Sequence, residues 1–518
     1  MSNSAQTNHA TGTRDPRRWW ILFACVLAVL TVAVDSGMLT LLVPAIQNEV
    51  DATQAQIGLM TSISALMLSA FILAGGTLGD LYGRKRFMLL GTGGMVLAAV
   101  LCTVVPGANA LIAVRALDGV CQALVNPLAL AVLAVTFDDE ERPKALGIYG
   151  ASLGIMGGLS SLAIQFLNQS FSWRAVFGLT IVLGVATMLM VWRLVPESRA
   201  SSARRPDWGG IGLCAVGLFA LVYGISQASG PAGPFSLAVG APLLIAVVFL
   251  SVFIWWEGRT ESPALELSLF RSPAFSLGCV LVLALSFGQV GVFFHLSNYF
   301  QVLLERSPLS SALMLLPLTL SLFLFSIAVG MFASRFAPRV LIAGGTALFA
   351  LALVLFAGLL GPDIGPWTLV PPMLLLGAAY SIANIPRMNA LLGSAPALYA
   401  GVASAANNAS AQLGNALGIA VTVVLVTNFG RAQYFRGLTE AGADPDQITR
   451  ATEILQEILR SDLPSIAARL AVPAERLQPL IGNYEAAFTY GIDRMFVAMS
   501  IGMLALALLT WFGLRPRR

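Results

Sequence analysis

Three ionisable residues, Asp35, Arg115 and Asp118, lie inside long apolar runs of the chain. A charged side chain at mid-helix in a bilayer costs about 2.5 kcal/mol or more, so each needs a partner or a task. Arg115 and Asp118 are three positions apart and therefore share one face of a helix. At a rise of about 1.5 Å per residue, all three lie roughly 9 to 13 Å below the outer ends of their helices. We expect them to meet if those two helices are neighbours.

Such a cluster could couple proton uptake to movement. A low dielectric favours the protonated form of a carboxyl group, whereas a nearby guanidinium favours the ionised form. Displacement of Arg115 relative to Asp35 or Asp118 would therefore switch a carboxyl group between its two forms. A static ion pair that only orients two helices is the alternative. It applies most to Asp118, which Arg115 could simply neutralise.

Polar amides in the same apolar runs could line a cavity. Gln122 and Asn126 follow Asp118 at four-residue steps, which indicates a polar stripe along one helix. The candidates for cavity lining are Gln122, Asn126, Gln289, Asn384, Asn407 and Asn408. The asparagines could equally hold helices together by hydrogen bonds. Arg387, close to a predicted helix end, could merely snorkel towards the membrane surface.

A short loop between two apolar runs carries glycines and charges in close spacing. Its residues are Gly76, Gly79, Asp80, Gly83, Arg84 and Arg86. The glycines allow two helix ends to approach and bend sharply, and the basic cluster predicts that this side faces the cytoplasm. Asp80, an acid among bases, needs a partner. A weaker copy of the loop lies at 330–339, with Ser334 in the place of Asp80.

The elements that position these residues follow from composition. Of 518 residues, 57% are hydrophobic and only 11% are charged, whereas soluble domains carry about 25% charged residues. Apolar runs predict an all-α integral membrane protein with about 14 transmembrane helices of about 20 residues each. Basic residues then fall almost wholly on one side, Arg174 and Arg306 excepted, which places both termini in the cytoplasm. The bases are scattered among short loops, so no nucleic-acid partner is expected.

The chain divides into four predicted parts. Residues 1–18 form a cytoplasmic tail, 19–200 a first six-helix half, 201–258 an inserted helix pair and 259–518 a second six-helix half. The second half includes an extracytoplasmic helical loop at 429–487, for which a packing role is favoured over a binding role. The two copies of the loop motif indicate that the halves are pseudo-repeats. Transporters built in this way bind their substrates between the repeats.

These motifs together resemble the major facilitator superfamily. The loop at 76–86 is similar to the signature between its second and third helices. Asp35 followed by Pro44, and Arg115 followed by Gly119, are similar to the first and fourth helices of its fourteen-helix drug–proton antiporter branch. Further similar positions are Trp173, Arg174, Gly401, Asn408, Gln412, Leu413, Gly414 and Gly418.

The chain departs from that branch in two helices. A glycine–proline motif usual in the fifth helix is replaced by Ser160, Ser161, Ile164 and Gln165. An arginine usual in the thirteenth helix is replaced by Ala411. These differences favour an alternative with the same fold, either a transporter of a specific lipid or metabolite or a facilitator without proton antiport. A transporter-like sensor that acts through the outer loop ranks below both.

The resemblance implies a secondary active exporter of small lipophilic or cationic compounds, of the multidrug efflux type. It would use the proton gradient and no cofactor, and it would sit in a bacterial inner membrane. Its partners would be the lipid bilayer, protons and a small-molecule substrate, with the oligomeric state left open. In the family the loop latches the first half on the cytoplasmic side in one state, so Asp80 would act on conformational balance.

Several kinds of chemistry have no support in the sequence. A clustered nucleophile and base, a phosphate-binding loop and a His/Cys metal cluster are all missing from it. We therefore expect neither an enzyme nor an ATP-driven pump, and no metal site.

Overall fold

The computed structural model describes residues 16–50, 54–138, 140–199, 207–227, 236–260, 263, 265–361, 364–365, 367–396, 399–440 and 474–514. Within these ranges the secondary structure is helical, with no strand. Nearly all of the predicted tail at 1–18 lies outside the described residues. The central part of the predicted outer loop, 441–473, lies outside them as well.

Fourteen helices of 17 to 41 residues make up most of the described chain. They are α1 (Arg18–Val50), α2 (Gln54–Tyr82), α3 (Arg84–Val104), α4 (Ala108–Thr136), α5 (Arg142–Ser170), α6 (Trp173–Leu194), α7 (Trp208–Gln227), α8 (Leu237–Glu257), α9 (Pro273–Asn298), α10 (Leu316–Phe332), α11 (Pro338–Ala357), α12 (Val370–Gly393), α13 (Ala400–Glu440) and α14 (Ala474–Gly513). Shorter helical turns at 267–271, 299–303, 308–314 and 333–335 join them. The all-α fold and the helix number predicted from the apolar runs are confirmed.

The last two helices are longer than the sequence pattern predicts. α13 has 41 residues and α14 has 40, whereas a membrane span needs about 20. The predicted outer loop at 429–487 therefore begins and ends inside helices. The apolar pattern underestimates these helices because their outer turns are polar and leave no hydropathy signal.

Twelve of the helices contain a described stretch that is long and apolar enough to cross a membrane, and α5 and α12 are the other two. α12 carries Asn384, Arg387 and Asn389 in its second half, and α5 begins with Arg142 and Lys144. Both helices contact α10, and they also contact each other. α5 and α12 thus lie where the first six helices meet the last six.

The helices pack in two groups of six. α1 to α6 pack mainly on one another, and so do α9 to α14, while α7 and α8 pair with each other and rest on α2. Contacts between the two groups run from α5 to α10 and α12, and from α2 and α4 to α13. This arrangement leaves α1, α4 and α5 of the first group facing α9, α12 and α13 of the last group.

Small residues let α2 and α4 cross with their backbones in contact. A Cβ atom added to Gly75 would lie 2.0 Å from the carbonyl oxygen of Ala123, and one added to Gly119 would lie 2.3 Å from that of Ser64. Close approach through glycine is the usual way in which membrane helices gain packing area. The hydroxyl of Ser64 also donates to the backbone oxygen of Arg115 at 2.8 Å. The crossing thereby fixes the register of the α4 segment that carries the ionisable residues.

Candidate functional site

The three ionisable residues predicted to meet do so between α1 and α4. Arg115 Nη1 lies 2.6 Å from Asp35 Oδ2 and 3.0 Å from Asp118 Oδ2. Their exposed fractions are 2%, 1% and 1% for Arg115, Asp35 and Asp118. One guanidinium group is therefore shared by two carboxyl groups, and none of the three reaches bulk solvent.

Neutral residues complete this group, which we call the acidic cluster (Asp35, Arg115, Asp118, Gln122 and Thr180). Gln122 Nε2 donates to Asp35 Oδ2 at 3.0 Å and to Asp118 Oδ2 at 2.7 Å. Thr180 of α6 donates to Asp35 Oδ1 at 3.2 Å. Thr180 was not among the predicted site residues, because a threonine in an apolar helix gives no signal in sequence. Gln122, predicted to line a cavity, is fully buried and bridges the two acids instead.

Two polar atoms of the acidic cluster remain unsatisfied. Arg115 Nε and Asp118 Oδ1 are buried and have no hydrogen-bond partner among the described residues. A buried polar atom without a partner destabilises the arrangement that contains it by about 1 to 3 kcal/mol. The cluster therefore holds an unsatisfied donor and an unsatisfied acceptor, unlike a fully satisfied structural ion pair.

The loop at 76–86 joins the two groups of helices through Asp80. Its Oδ1 accepts from Arg84 Nε at 2.8 Å and from the backbone N–H of Gly401 at 3.0 Å, and Oδ2 accepts from Val402 N–H at 3.1 Å. Gly401 and Val402 form the first turn of α13, whose N–H groups have no partner inside the helix. A Cβ atom on Gly76 would lie 2.4 Å from the Gly401 carbonyl oxygen. We call these contacts of Asp80 the α2–α13 latch.

The other loop residues support the latch. Gly83 has a φ of 121°, a conformation that side chains other than glycine rarely adopt, and it caps the start of α3. A Cβ atom on Gly79 would clash with Leu128 of α4 at 2.2 Å. Arg86 Nε lies 3.5 Å from Glu197 Oε2 near the surface. By contrast, Ser334 in the second copy of the loop is exposed. The second copy therefore makes no buried contact through a carboxylate at this position.

A cavity of about 390 Å³ lies between the two helix groups. Of the predicted lining residues, Asn126, Asn384, Asn407 and Asn408 border it, whereas Gln289 is not among its lining residues. Ser36 also borders the cavity, and its hydroxyl donates to Gln122 Oε1 at 2.9 Å. The acidic cluster therefore lies directly behind the cavity wall, one hydrogen bond away.

Arg387 does not snorkel, which was one alternative for this residue. Its exposed fraction is 1%, and it borders the cavity from α12. Its guanidinium donates to Asn384 Oδ1 at 3.1 and 2.8 Å, to Asn407 Oδ1 at 2.9 Å and to the Gly278 carbonyl oxygen at 3.1 Å. The asparagine three positions earlier on the same helix was the available signal, because it offers a local acceptor that keeps the side chain inside.

A metal site has no candidate in the described part of the chain, where no three His, Cys, Asp or Glu side chains group together. His295 of α9 bonds Thr422 through Nε2 at 3.0 Å, and Nδ1 has no partner among the described residues. That histidine lies outside both the acidic cluster and the cavity lining.

Comparison with known proteins agrees with this architecture. The model of the Major Facilitator Superfamily matches residues 25–419. The multidrug efflux pump LfrA of Mycolicibacterium smegmatis is 27% identical over 508 residues, which are 98% of this chain and 98% of that protein. The tetracenomycin C resistance and export protein of Streptomyces glaucescens is 30% identical over 421 residues, 81% of this chain and 78% of that protein.

A solved structure shows the same fold at low sequence identity. The proton:xylose symporter XylE superposes with a TM-score of 0.61 at 15% identity, and the match covers 96% of each chain. The family model covers most of the chain, and the curated relatives are bacterial transporters. This protein therefore belongs to the Major Facilitator Superfamily and is a multi-pass membrane transporter, not an enzyme.

Proposed function

We propose that this transporter exports small lipophilic compounds in exchange for protons, and that the acidic cluster carries the proton. The observation that supports this most is the sharing of Arg115 by Asp35 and Asp118, all three of them buried. Two relatives, a multidrug efflux pump and a tetracenomycin C resistance and export protein, support the direction of transport and the class of cargo.

Charge balance explains why the cluster would bind a proton. With both carboxyl groups ionised, the described residues of the cluster carry two negative charges and one positive charge. An unbalanced buried charge costs several kcal/mol, so one proton on the carboxyl pair gives the neutral and stable form. Release of that proton requires that the cluster be opened to water or that Arg115 move, which ties protonation to helix position.

A path from the cluster to the substrate would run through Ser36. Its hydroxyl borders the cavity and donates to Gln122, which in turn donates to both acids. A bound substrate that displaces Ser36 would shift Gln122 and change the hydrogen bonds that hold the two acids. Antiport requires that proton and substrate bind in turn, so we expect substrate binding to favour release of the proton, and proton binding to favour release of the substrate.

The α2–α13 latch would set the balance between two states. It connects the first six helices to the last six at the end that carries Arg84 and Arg86. We propose that this end is cytoplasmic, so that both termini are too, in a bacterial inner membrane. Rocking of the halves, 19–200 against 259–518, would then break and re-form the latch once in each cycle.

The test uses purified protein in proteoliposomes. A drug-susceptibility panel in a pump-deficient bacterium first supplies an exported compound. Efflux of that compound, driven by an imposed pH gradient, is then compared for the wild type, Asp35→Asn and Asp493→Asn. Asp493 is a half-buried acid of α14 outside the cluster, so its variant is a matched control.

The expected result is loss of driven efflux in Asp35→Asn and near-normal efflux in Asp493→Asn. Efflux that Asp35→Asn leaves unchanged would remove that residue from the mechanism. Efflux that continues after the proton gradient is dissipated would favour the alternative, a facilitator or a transporter of a specific lipid or metabolite.

A further inference from the structure

We propose that the central cavity recognises an acidic head group, so that the preferred substrates are amphipathic organic anions, such as aryl carboxylates, with an apolar body. This inference rests on the proposed function for the transport step, and it adds the substrate class. It starts from Arg387, which no step of the proposed proton cycle uses.

Arg387 is a buried cation without a negative partner. Its four hydrogen bonds all go to neutral oxygens, on Asn384, Asn407 and Gly278. Arginine has five N–H donors, so one Nη2 proton has no partner among the described residues. Arg387 takes part in none of the ion pairs found in the described chain, all of which involve other arginines. Buried charges in proteins are normally paired, and a ligand anion would provide the missing pair.

The rest of the cavity wall offers donors and no acid. Its polar members from the described chain are amides, hydroxyls and Arg387, and no aspartate or glutamate is among them. Asn408 borders the cavity, and its Nδ2 is buried without a hydrogen-bond partner in the described part of the chain. Arg387 and Asn408 thus present two unfilled donors, from α12 and α13. An acceptor with more than one oxygen, such as a carboxylate, could take hydrogen bonds from both.

The apolar part of the wall fits the body of such a compound. Val29, Val32 and Leu130 border the cavity from the first group of helices, and Val282 and Met388 border it from the last group. A volume of about 390 Å³ is at the small end of the usual range of ligand pockets, roughly 300 to 1,000 Å³. The site therefore suits a compound of two or three fused rings with one acidic group.

A cationic substrate fits this wall poorly. The two acids of the acidic cluster, Asp35 and Asp118, face Arg115 and do not border the cavity. A bound cation would meet the like charge of Arg387 and no carboxylate to offset it. Recognition of cations would require Asp35 to leave Arg115, and the test below includes that outcome.

The experiment measures equilibrium binding to the purified full-length protein in detergent, with no proton gradient. Three probes of similar size carry a negative, a neutral and a positive head group: 2-naphthoate, 2-naphthamide and 2-naphthylmethylammonium. We expect the carboxylate to bind at least tenfold more tightly than the amide or the ammonium compound. Tighter binding of the ammonium compound, or equal binding of all three, would overturn the proposal.

Two isosteric variants test the role of Arg387. Asn407→Asp and Asn384→Asp each place a carboxylate where a neutral oxygen now accepts from the guanidinium, and both should abolish the preference for 2-naphthoate. Arg335→Gln, which removes an exposed cation from the short turn after α10, should keep it. An undiminished preference in both aspartate variants would contradict the assignment.

A second pair of variants covers the case in which the aspartate variants do not fold. Arg387→Lys keeps the charge and should retain part of the preference, whereas Arg387→Gln should lose it. If both variants bound 2-naphthoate as the wild type does, the assignment to Arg387 would be wrong. Because binding is measured without a proton gradient, the binding result does not depend on whether transport is coupled to protons. Equally, proton-coupled efflux could be confirmed even if the cavity showed no preference for anions.

Discussion

Arg115 in the first group of six helices and Arg387 in the last are both buried, and they differ in what balances the charge. Arg115 faces two carboxyl groups in a closed cluster. Arg387 faces amide and backbone oxygens beside a cavity. The first arrangement can exchange a proton without a ligand, and the second can receive an anion without a proton. The comparison suggests that proton handling and substrate recognition are divided between the two groups of helices.

The largest expected effect comes from removal of each cation in turn. Arg115→Gln leaves two buried acids with no positive partner, and we expect a loss of stability of about 3 to 5 kcal/mol. Arg387→Gln leaves only neutral oxygens behind, and we expect a smaller loss of about 1 to 3 kcal/mol. Unfolding of the purified variants in detergent, followed by circular dichroism, compares the two.

A stability loss that is larger in Arg387→Gln than in Arg115→Gln would contradict this comparison. A larger loss in Arg387→Gln would mean that Arg387 has an acidic partner in the folded protein, and that the two sites are alike. Arg335→Gln is the control, since an exposed cation should change stability by less than about 0.5 kcal/mol.

The next effect concerns the second acid of the cluster. Asp118→Asn would leave Arg115 and Asp35 as a balanced pair, with no excess negative charge to attract a proton. The free energy of unfolding should change by about 1 kcal/mol or less. Gradient-driven efflux should fall about tenfold, which corresponds to about 1.4 kcal/mol added to the barrier for separating Asp35 from Arg115.

The readouts for Asp118→Asn are efflux and proton release in the same proteoliposomes. Driven efflux at the rate of the wild type would show that Asp118 only orients α1 and α4. The static interpretation, left open by the sequence for this residue, would then be correct.

The acidic cluster could be predicted from sequence more fully than the cavity. Asp35, Arg115 and Asp118 stand out because a charge in an apolar run is rare, and helical rise places all three at similar depth. The number of helices could also be predicted, because an apolar run of about 20 residues usually forms a membrane-spanning helix.

What could not be predicted is the direction in which a polar helix faces. Gln122 and Asn126 lie on the same stripe of α4, yet the first bridges two acids and the second borders the cavity. Arg387 could have pointed to the membrane surface, and only the positions of Asn407 and Gly278 on neighbouring helices keep it inside. Such choices depend on contacts between helices, which a single sequence does not contain.

A smaller effect is expected from the latch, which touches neither site. Asp80→Asn removes the charge that supports hydrogen bonds to the first turn of α13, bonds of about 1.5 to 3 kcal/mol each when an ionised group is involved. The state with this end closed should become less populated, so efflux should slow by about three- to tenfold. Binding of the three naphthalene probes should keep its order.

Because the latch lies outside both the acidic cluster and the cavity, its loss should change the efflux rate and leave the order of probe binding unchanged. An altered order of probe binding in Asp80→Asn would show that the latch shapes the cavity and that the regions are not independent. Ser334→Asn, in the exposed second copy of the loop, is the control and should leave the efflux rate unchanged.

The smallest effect is expected from a variant that makes the surroundings of Arg387 resemble those of Arg115. The expected change is a gain in stability. Asn407 Oδ1 accepts from Arg387 Nη1 at 2.9 Å, so Asn407→Asp would create a buried ion pair without a change of shape. Hydrogen bonds between ionised groups are stronger than neutral ones, although the cost of burying the new charge offsets much of the gain. We expect a net stabilisation of about 1 kcal/mol, measured as a higher midpoint of thermal unfolding in detergent. Destabilisation would mean that Arg387 is already balanced in the folded protein, and that the contrast with Arg115 is one of geometry and not of charge.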